Sequence, residues 1–144
     1  MKTGRRIAFD YGQVRIGVAA SDLSGLIASP IATLQATDAD LSRKLSEIVA
    51  EYEPIYLVVG EPKHLSGADS PSLLAAHEFG QLLRSITNIP IHFVDERMST
   101  ISAARTLRVA GHNAKESKTK IDAMAAVAIL ESALERERIT GHLG

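Results

Sequence analysis

Cysteine is absent from these 144 residues, which excludes disulfides, thiolate zinc sites and a cysteine nucleophile and fits a reducing cytoplasm. Tryptophan is absent too, and aromatics make up only 4% of the chain. Phe9, Tyr56 and Phe93 fall inside apolar, strand-like runs, so little is left for stacking the bases of a single strand. No apolar run is long enough to span a bilayer, and MKTGRR leads straight into a strand with no secretory apolar segment. The expectation is a cytoplasmic protein without membrane attachment. An excess of one charge is also missing, since a net charge of −1 does not advertise a nucleic-acid binder. What remains is an ordinary globular composition, 45% hydrophobic and 23% charged. The length suits one domain over residues 1–144, able to bury roughly two thirds of its unfolded surface.

The pattern of apolar residues predicts an α/β chain. Residues 5–10 and 15–21 read as two strands joined by a short glycine-containing turn, with Ile16, Val18 and Ala20 alternating with Arg15, Gly17 and Ala19. A third strand covers about Ile27 to Leu34. Leu41, Leu45, Ile48, Val49 and Tyr52 fall at helical spacing, with Thr37 or Asp38 as the cap and Pro54 as the stop. IYLVVG is a near-continuous apolar strand, as expected where both faces are covered. After the polar loop EPKHLSGADS, Ser70-Pro71 starts a helix whose stripe is Ala75, Phe79, Leu82 and Ile86. IHFV is another buried strand, Ser99 or Thr100 caps a helix ending at Gly111, and the polar run HNAKESK leads to a last helix from about Lys120. The order βββαβαβαα is that of antiparallel strands followed by crossover units.

Three acidic residues stand where such a fold gathers functional groups. Asp10 ends a strand that is apolar on both faces, at the rim where open sheets bind ligands. Gly17 on the partner strand lets a phosphate approach. Glu96 follows IHFV in Asp95-Glu96-Arg97, and alternation puts Asp95 and Glu96 on opposite sides, so Glu96 is the preferred ligand. Asp122 falls in the first turn of the expected last helix, where the macrodipole alone favours an acid. It also repeats with Ala125, Ala126 and Ile129 on an inward face, and an inward carboxylate needs a partner. Glu61, after LVVG, is a fourth candidate beside its plain reading as a loop acid before Pro62. Carboxylates gathered from separate elements supply hard oxygen ligands for Mg²⁺ or Mn²⁺ against a phosphodiester.

Between two of these carboxylates, Arg97, Arg105, Arg108, Lys115, Lys118 and Lys120 face only one acid, Glu116. A basic stretch beside an acidic metal site suits a polyanionic substrate, although such residues are as often a solvated face. The histidines lack metal-ligand spacing, so His64 and His112 carry no specific signal, and Ser66-Gly67 reads as a turn. DYGQVRIG is locally similar to the phosphate loop of actin-like ATPases and sugar kinases, whose two-domain cleft needs a longer chain.

The runs FDYGQVRIGVA, LVVGEPKHLSG, VDERMST and IDAMAAVAIL, in this order and spacing, resemble the YqgF/RuvX family of RNase H-like nucleases from Arg6 to about Leu134. The resemblance implies an RNase H-like fold, a five-stranded mixed sheet with three antiparallel strands, then parallel crossovers, flanked by helices. It also implies a role described as Holliday-junction resolvase-like and as a nuclease maturing the 5′ end of pre-16S ribosomal RNA. By motif match the family's acidic positions fall on Asp10, Glu96 and Asp122. Family members often carry an apolar residue in place of Glu61, while related resolvases place an acid at the end of that strand, so Glu61 stays a candidate.

These readings combine into phosphodiester hydrolysis with two divalent ions about 4 Å apart, Asp10 bridging them and Glu96 and Asp122 each completing one shell. Arg15, Arg97, Lys118 and Lys120 are expected to hold phosphates, and residues 111–119 to form a loop that closes over substrate. RNA in a pre-ribosomal particle is the favoured partner, with branched DNA cut by a two-fold dimer as the alternative. A monomer and a homodimer both remain open. A non-catalytic ribosome-assembly factor is the rival from another class, and a nucleotide-binding ATPase is the least favoured.

Overall fold

The strands owe their order to two kinds of apolar pattern, one alternating and one continuous. A computed structural model describes residues 2–62, 71–95 and 114–141, the side chains of 114–122 excepted. The elements run β1 (Arg6–Tyr11), β2 (Arg15–Ser21), β3 (Ala28–Gln35), α1 (Leu41–Tyr52), β4 (Tyr56–Glu61), α2 (Pro71–Ile86), β5 (Ile91–Asp95) and α3 (Ala114–Thr140). The sheet has five strands in the order β3-β2-β1-β4-β5. β1–β2 and β2–β3 are antiparallel, and β1–β4 and β4–β5 are parallel. The central strands β1 and β4 are buried on both faces, which is why they read as unbroken apolar runs.

Alternation sorts the side chains into two cores. Ile7, Phe9, Ile16, Val18, Leu57 and Val59 face α1 and α2. Ala8, Ala19, Val58 and Val94 face the other way, against Ala126, Ile129, Leu130 and Ala133 of α3. The small residues on that side let α3, about 40 Å long, lie close across β1, β2 and β3. Aromatic packing ties the first hairpin to α2, with Phe79 edge-on to Phe9 at 5.3 Å and stacked with Tyr11 at 4.9 Å.

Three expectations need correction. The last helix is described from Ala114, not from near Lys120, so 114–119 of the expected closing loop belong to the helix, and 111–113 lie outside the described residues. Ala, Lys and Glu propagate a helix without an apolar stripe to announce it. The most buried residues of α2 are Ala76, Phe79, Gly80 and Leu83; of the expected stripe, Phe79 is among them, Leu82 and Ile86 pack half-buried against the same core, and Ala75 gives way to Ala76. At α1 the N-cap is Asp40, with no side-chain capping bond. Asp38 instead accepts the Asp40 N–H at 2.8 Å and pairs with Lys44; that pairing first, then the backbone bond, holds its carboxyl below the usual range. The helix expected from Ser99 or Thr100 to Gly111 lies outside the described residues.

At the start of β1, Arg6 is fully buried and Glu137 nearly so. Arg6 Nη2 donates to Glu137 Oε2 at 2.9 Å, the Tyr56 hydroxyl donates to Oε1 at 2.8 Å, and the guanidinium also reaches the carbonyls of Lys2 and Gly4. Burial alone would raise the Glu137 carboxyl, but the bonds from Arg6 and Tyr56 outweigh it and hold it low. Burial, and then the bond to Glu137, push the Tyr56 phenol up. This network pins the C-terminal end of α3 over the N-terminal end of β1 and so fixes the direction of α3.

Candidate active site

Asp10 is the fifth residue of β1. It pairs across the hairpin with Gly17 and shares the alternation of Ala8, which places it on the α3 side of the sheet. Asp10 is half-buried and Gly17 is buried. Beside the carboxylate the partner strand therefore offers no side chain, only backbone. Arg15 opens β2 in the alternation of Gly17 and Ala19, on the same face and at the same rim. The turn between the strands is closed by Gly12 N–H to the Arg15 carbonyl at 2.9 Å. A Cβ on Gly12 would stand 2.7 Å from that oxygen, so the turn that aims Asp10 and Arg15 needs glycine.

α3 reaches this rim from the other end. From Glu137, fixed over the start of β1, position 122 lies fifteen residues back along the helix, roughly 22 Å. β1 from Arg6 to Asp10 spans only roughly 13 Å. Position 122 thus belongs to the part of the helix at the Asp10 end, on the helical repeat of Ala126, Ile129 and Ala133, all buried. It is the ninth residue of the helix rather than one of the first turn, so the macrodipole, which fades after one turn, does not account for an acid there. Lys118 and Lys120 are further positions of the same helix.

β4 and β5 bring their C-terminal ends to the same rim, with Glu61 and Asp95 as register partners. Both lie on the side away from Asp10. Glu61 follows Leu57 and Val59 in the alternation, and Asp95 follows Val94, which faces α3. Glu61 instead meets α2, where Nε2 of His77 is 2.7 Å from its Oε2. That histidine went unread in the sequence because its partner is sixteen residues away and no local motif joins them. Glu96 and Arg97 lie outside the described residues, as does the Asp122 side chain. Among the described residues no three His, Asp or Glu side chains form a metal-holding group.

The geometry can be set beside known proteins. The family model described as "RuvX: Holliday junction resolvase" matches residues 4–136. A Streptomyces coelicolor protein named "Putative pre-16S rRNA nuclease" is 44% identical over 143 residues, 98% of this chain and 86% of the relative. A Cutibacterium acnes protein of the same name is 46% identical over 137 residues, 94% of this chain and 85% of the relative. Among solved structures, Thermus thermophilus RuvC in complex with a Holliday junction substrate matches with a TM-score of 0.65, covering 96% of this chain and 98% of that one. At 12% identity this last likeness speaks to the fold alone, which is RNase H-like.

Proposed function

The chain belongs to the RuvX family, described as Holliday junction resolvases, and from that premise we propose a divalent-metal-dependent nuclease whose site is the rim carrying Asp10, Glu96 and Asp122. The observation that carries this reading is Asp10, a half-buried carboxylate at the end of the central strand, on the α3 face and with Gly17 as its register partner. A hard oxygen donor at a strand end beside a glycine, which adds no side chain of its own, fits Mg²⁺ or Mn²⁺ and a phosphate together. Asp10, Glu96 and Asp122 would hold the ions. Bound there, divalent ions supply positive charge to the attacking water and to the departing 3′ oxygen. Glu61 is left out of this set, because it sits on the opposite face and is engaged by His77.

Arg15, on the face of Asp10, positions phosphates together with Arg97, Lys118 and Lys120, contributing affinity without sequence readout. The substrate is the 5′ end of pre-16S ribosomal RNA within a cytoplasmic pre-ribosomal particle, in line with the names of the Streptomyces and Cutibacterium relatives. Cutting one RNA strand needs only a monomer, whereas paired cuts across a DNA junction need a two-fold dimer. Three labelled substrates with Mn²⁺ decide between these: a single-stranded RNA copying the pre-16S 5′ leader, a four-way DNA junction and plain duplex DNA. Cleavage of the RNA is expected. Symmetric paired cuts in the junction would move the reading to resolution, and binding without any cutting would leave an assembly factor.

A further inference from the structure

The rim has a second side, facing α2, that the metal-site reading leaves unused. There the His77 ring lies parallel to Phe93, with centroids 4.4 Å apart and 11° between planes. Phe93 is pressed against Gly80, where a Cβ would come within 2.7 Å of the ring. Arg84 stands over the same ring at 5.8 Å. The imidazole is therefore held on one face by Phe93 and at Nε2 by Glu61, while its side chain remains 48% exposed. An imidazole engaged at Nε2 keeps Nδ1 as its second working nitrogen.

Packing alone does not call for this arrangement. A phenylalanine would stack on Phe93 equally well, and an acid at a strand end needs no histidine to be stable. The pairing makes more sense toward a polyanion. Glu61 and Asp95 bring negative charge to a rim that phosphates must cross, and an imidazolium cancels one of these charges while offering a donor. β4 neighbours β1 in the sheet, and adjacent strands run about 5 Å apart, so the ends carrying Asp10 and Glu61 adjoin on one rim, on its opposite faces. A strand that crosses the rim from Asp10 next meets the end of β4, where Glu61 and His77 stand.

We infer that the Glu61–His77 pair is a second phosphate-holding position on this rim. His77 donates Nε2–H to Glu61 and Nδ1–H to a phosphate flanking the scissile one, and Glu61 is the positioning residue that aims the ring. The inference rests on the nuclease reading of the rim, and its test separates the two. The Kd, KM and kcat are measured on the 5′-leader RNA and the four-way junction for wild type, His77→Phe, and His77→Phe combined with Glu61→Gln. His77→Phe keeps a ring on Phe93 and loses the donor; His77→Ala replaces it should the variant fold poorly. Loss of one charge-assisted hydrogen bond raises Kd and KM about tenfold, with kcat within about twofold and an unchanged Tm, and the double variant recovers nothing. Wild-type affinity in His77→Phe overturns the subsite. So does recovery in the double variant, since His77 would then only cancel the charge of Glu61. A His77→Phe binding defect in a protein that cuts neither substrate keeps the subsite and removes the nuclease reading. A wild type that binds neither substrate removes both.

Discussion

Single residues carry the two ends of this molecule in different ways. At the rim, Asp10 has a glycine as its register partner and is followed by a turn that needs glycine, which is what its proposed role draws on. At the far end, Glu137 answers a buried guanidinium and a buried phenol at once. Removing it leaves Arg6 charged, buried and without its counter-ion, so Glu137→Ala should cost about 3–5 kcal/mol in urea unfolding at pH 7. The same carboxylate makes stability fall with acid. Its folded pKa lies below the ordinary value of 4.5, so its contribution is complete above that value and is lost as pH falls through the folded pKa. Wild type should therefore lose stability below about pH 4.5 more steeply than Glu137→Ala. Parallel acid limbs in the two proteins would show that Glu137 is not the titrating group.

Elements were legible where apolar residues repeat and obscure where they do not. The strands and α1 follow from alternation and from the spacing of Leu41, Leu45, Ile48 and Tyr52. The start of α3 did not, because AKESKT carries no stripe, although its propensity was there to read. The face taken by Glu61 was hidden for a different reason. Tyr56 to Gly60 are buried on both sides, so no polar residue marks a face, and the relation to Asp10 depends on the β1–β4 register. One helix end also stores strain. Glu53 closes α1 in the left-handed region at φ 46° and ψ 56°, just before Pro54. Glu53→Gly should stabilise by about 1 kcal/mol, because glycine adopts that conformation freely and the following proline limits the entropy gained on unfolding. Chemical denaturation measures this, and a loss of stability would show that the cap is not strained.

On the scale of the whole molecule, two clamps set the shape of the rim. The Arg6–Glu137–Tyr56 network fixes how α3 runs across the sheet and brings position 122 to the Asp10 end. The parallel pairing of β1, β4 and β5 brings three strand ends to the same place. The sequence could nominate Asp10, Glu96 and Asp122 as candidates from motif and position, but not show which face Glu61 and Asp10 present, since that is set by register between distant segments. The most direct test is Mn²⁺-dependent cleavage of the 5′-leader RNA by wild type and Asp10→Asn, with Tm and RNA affinity measured alongside. Replacing the Asp10 carboxylate should reduce cleavage at least about a thousandfold if it holds the metal charge on the attacking and departing oxygens as proposed, while Tm and affinity stay near wild type. An Asp10→Asn protein that still cuts at the wild-type rate would contradict the placement of the active site on this rim.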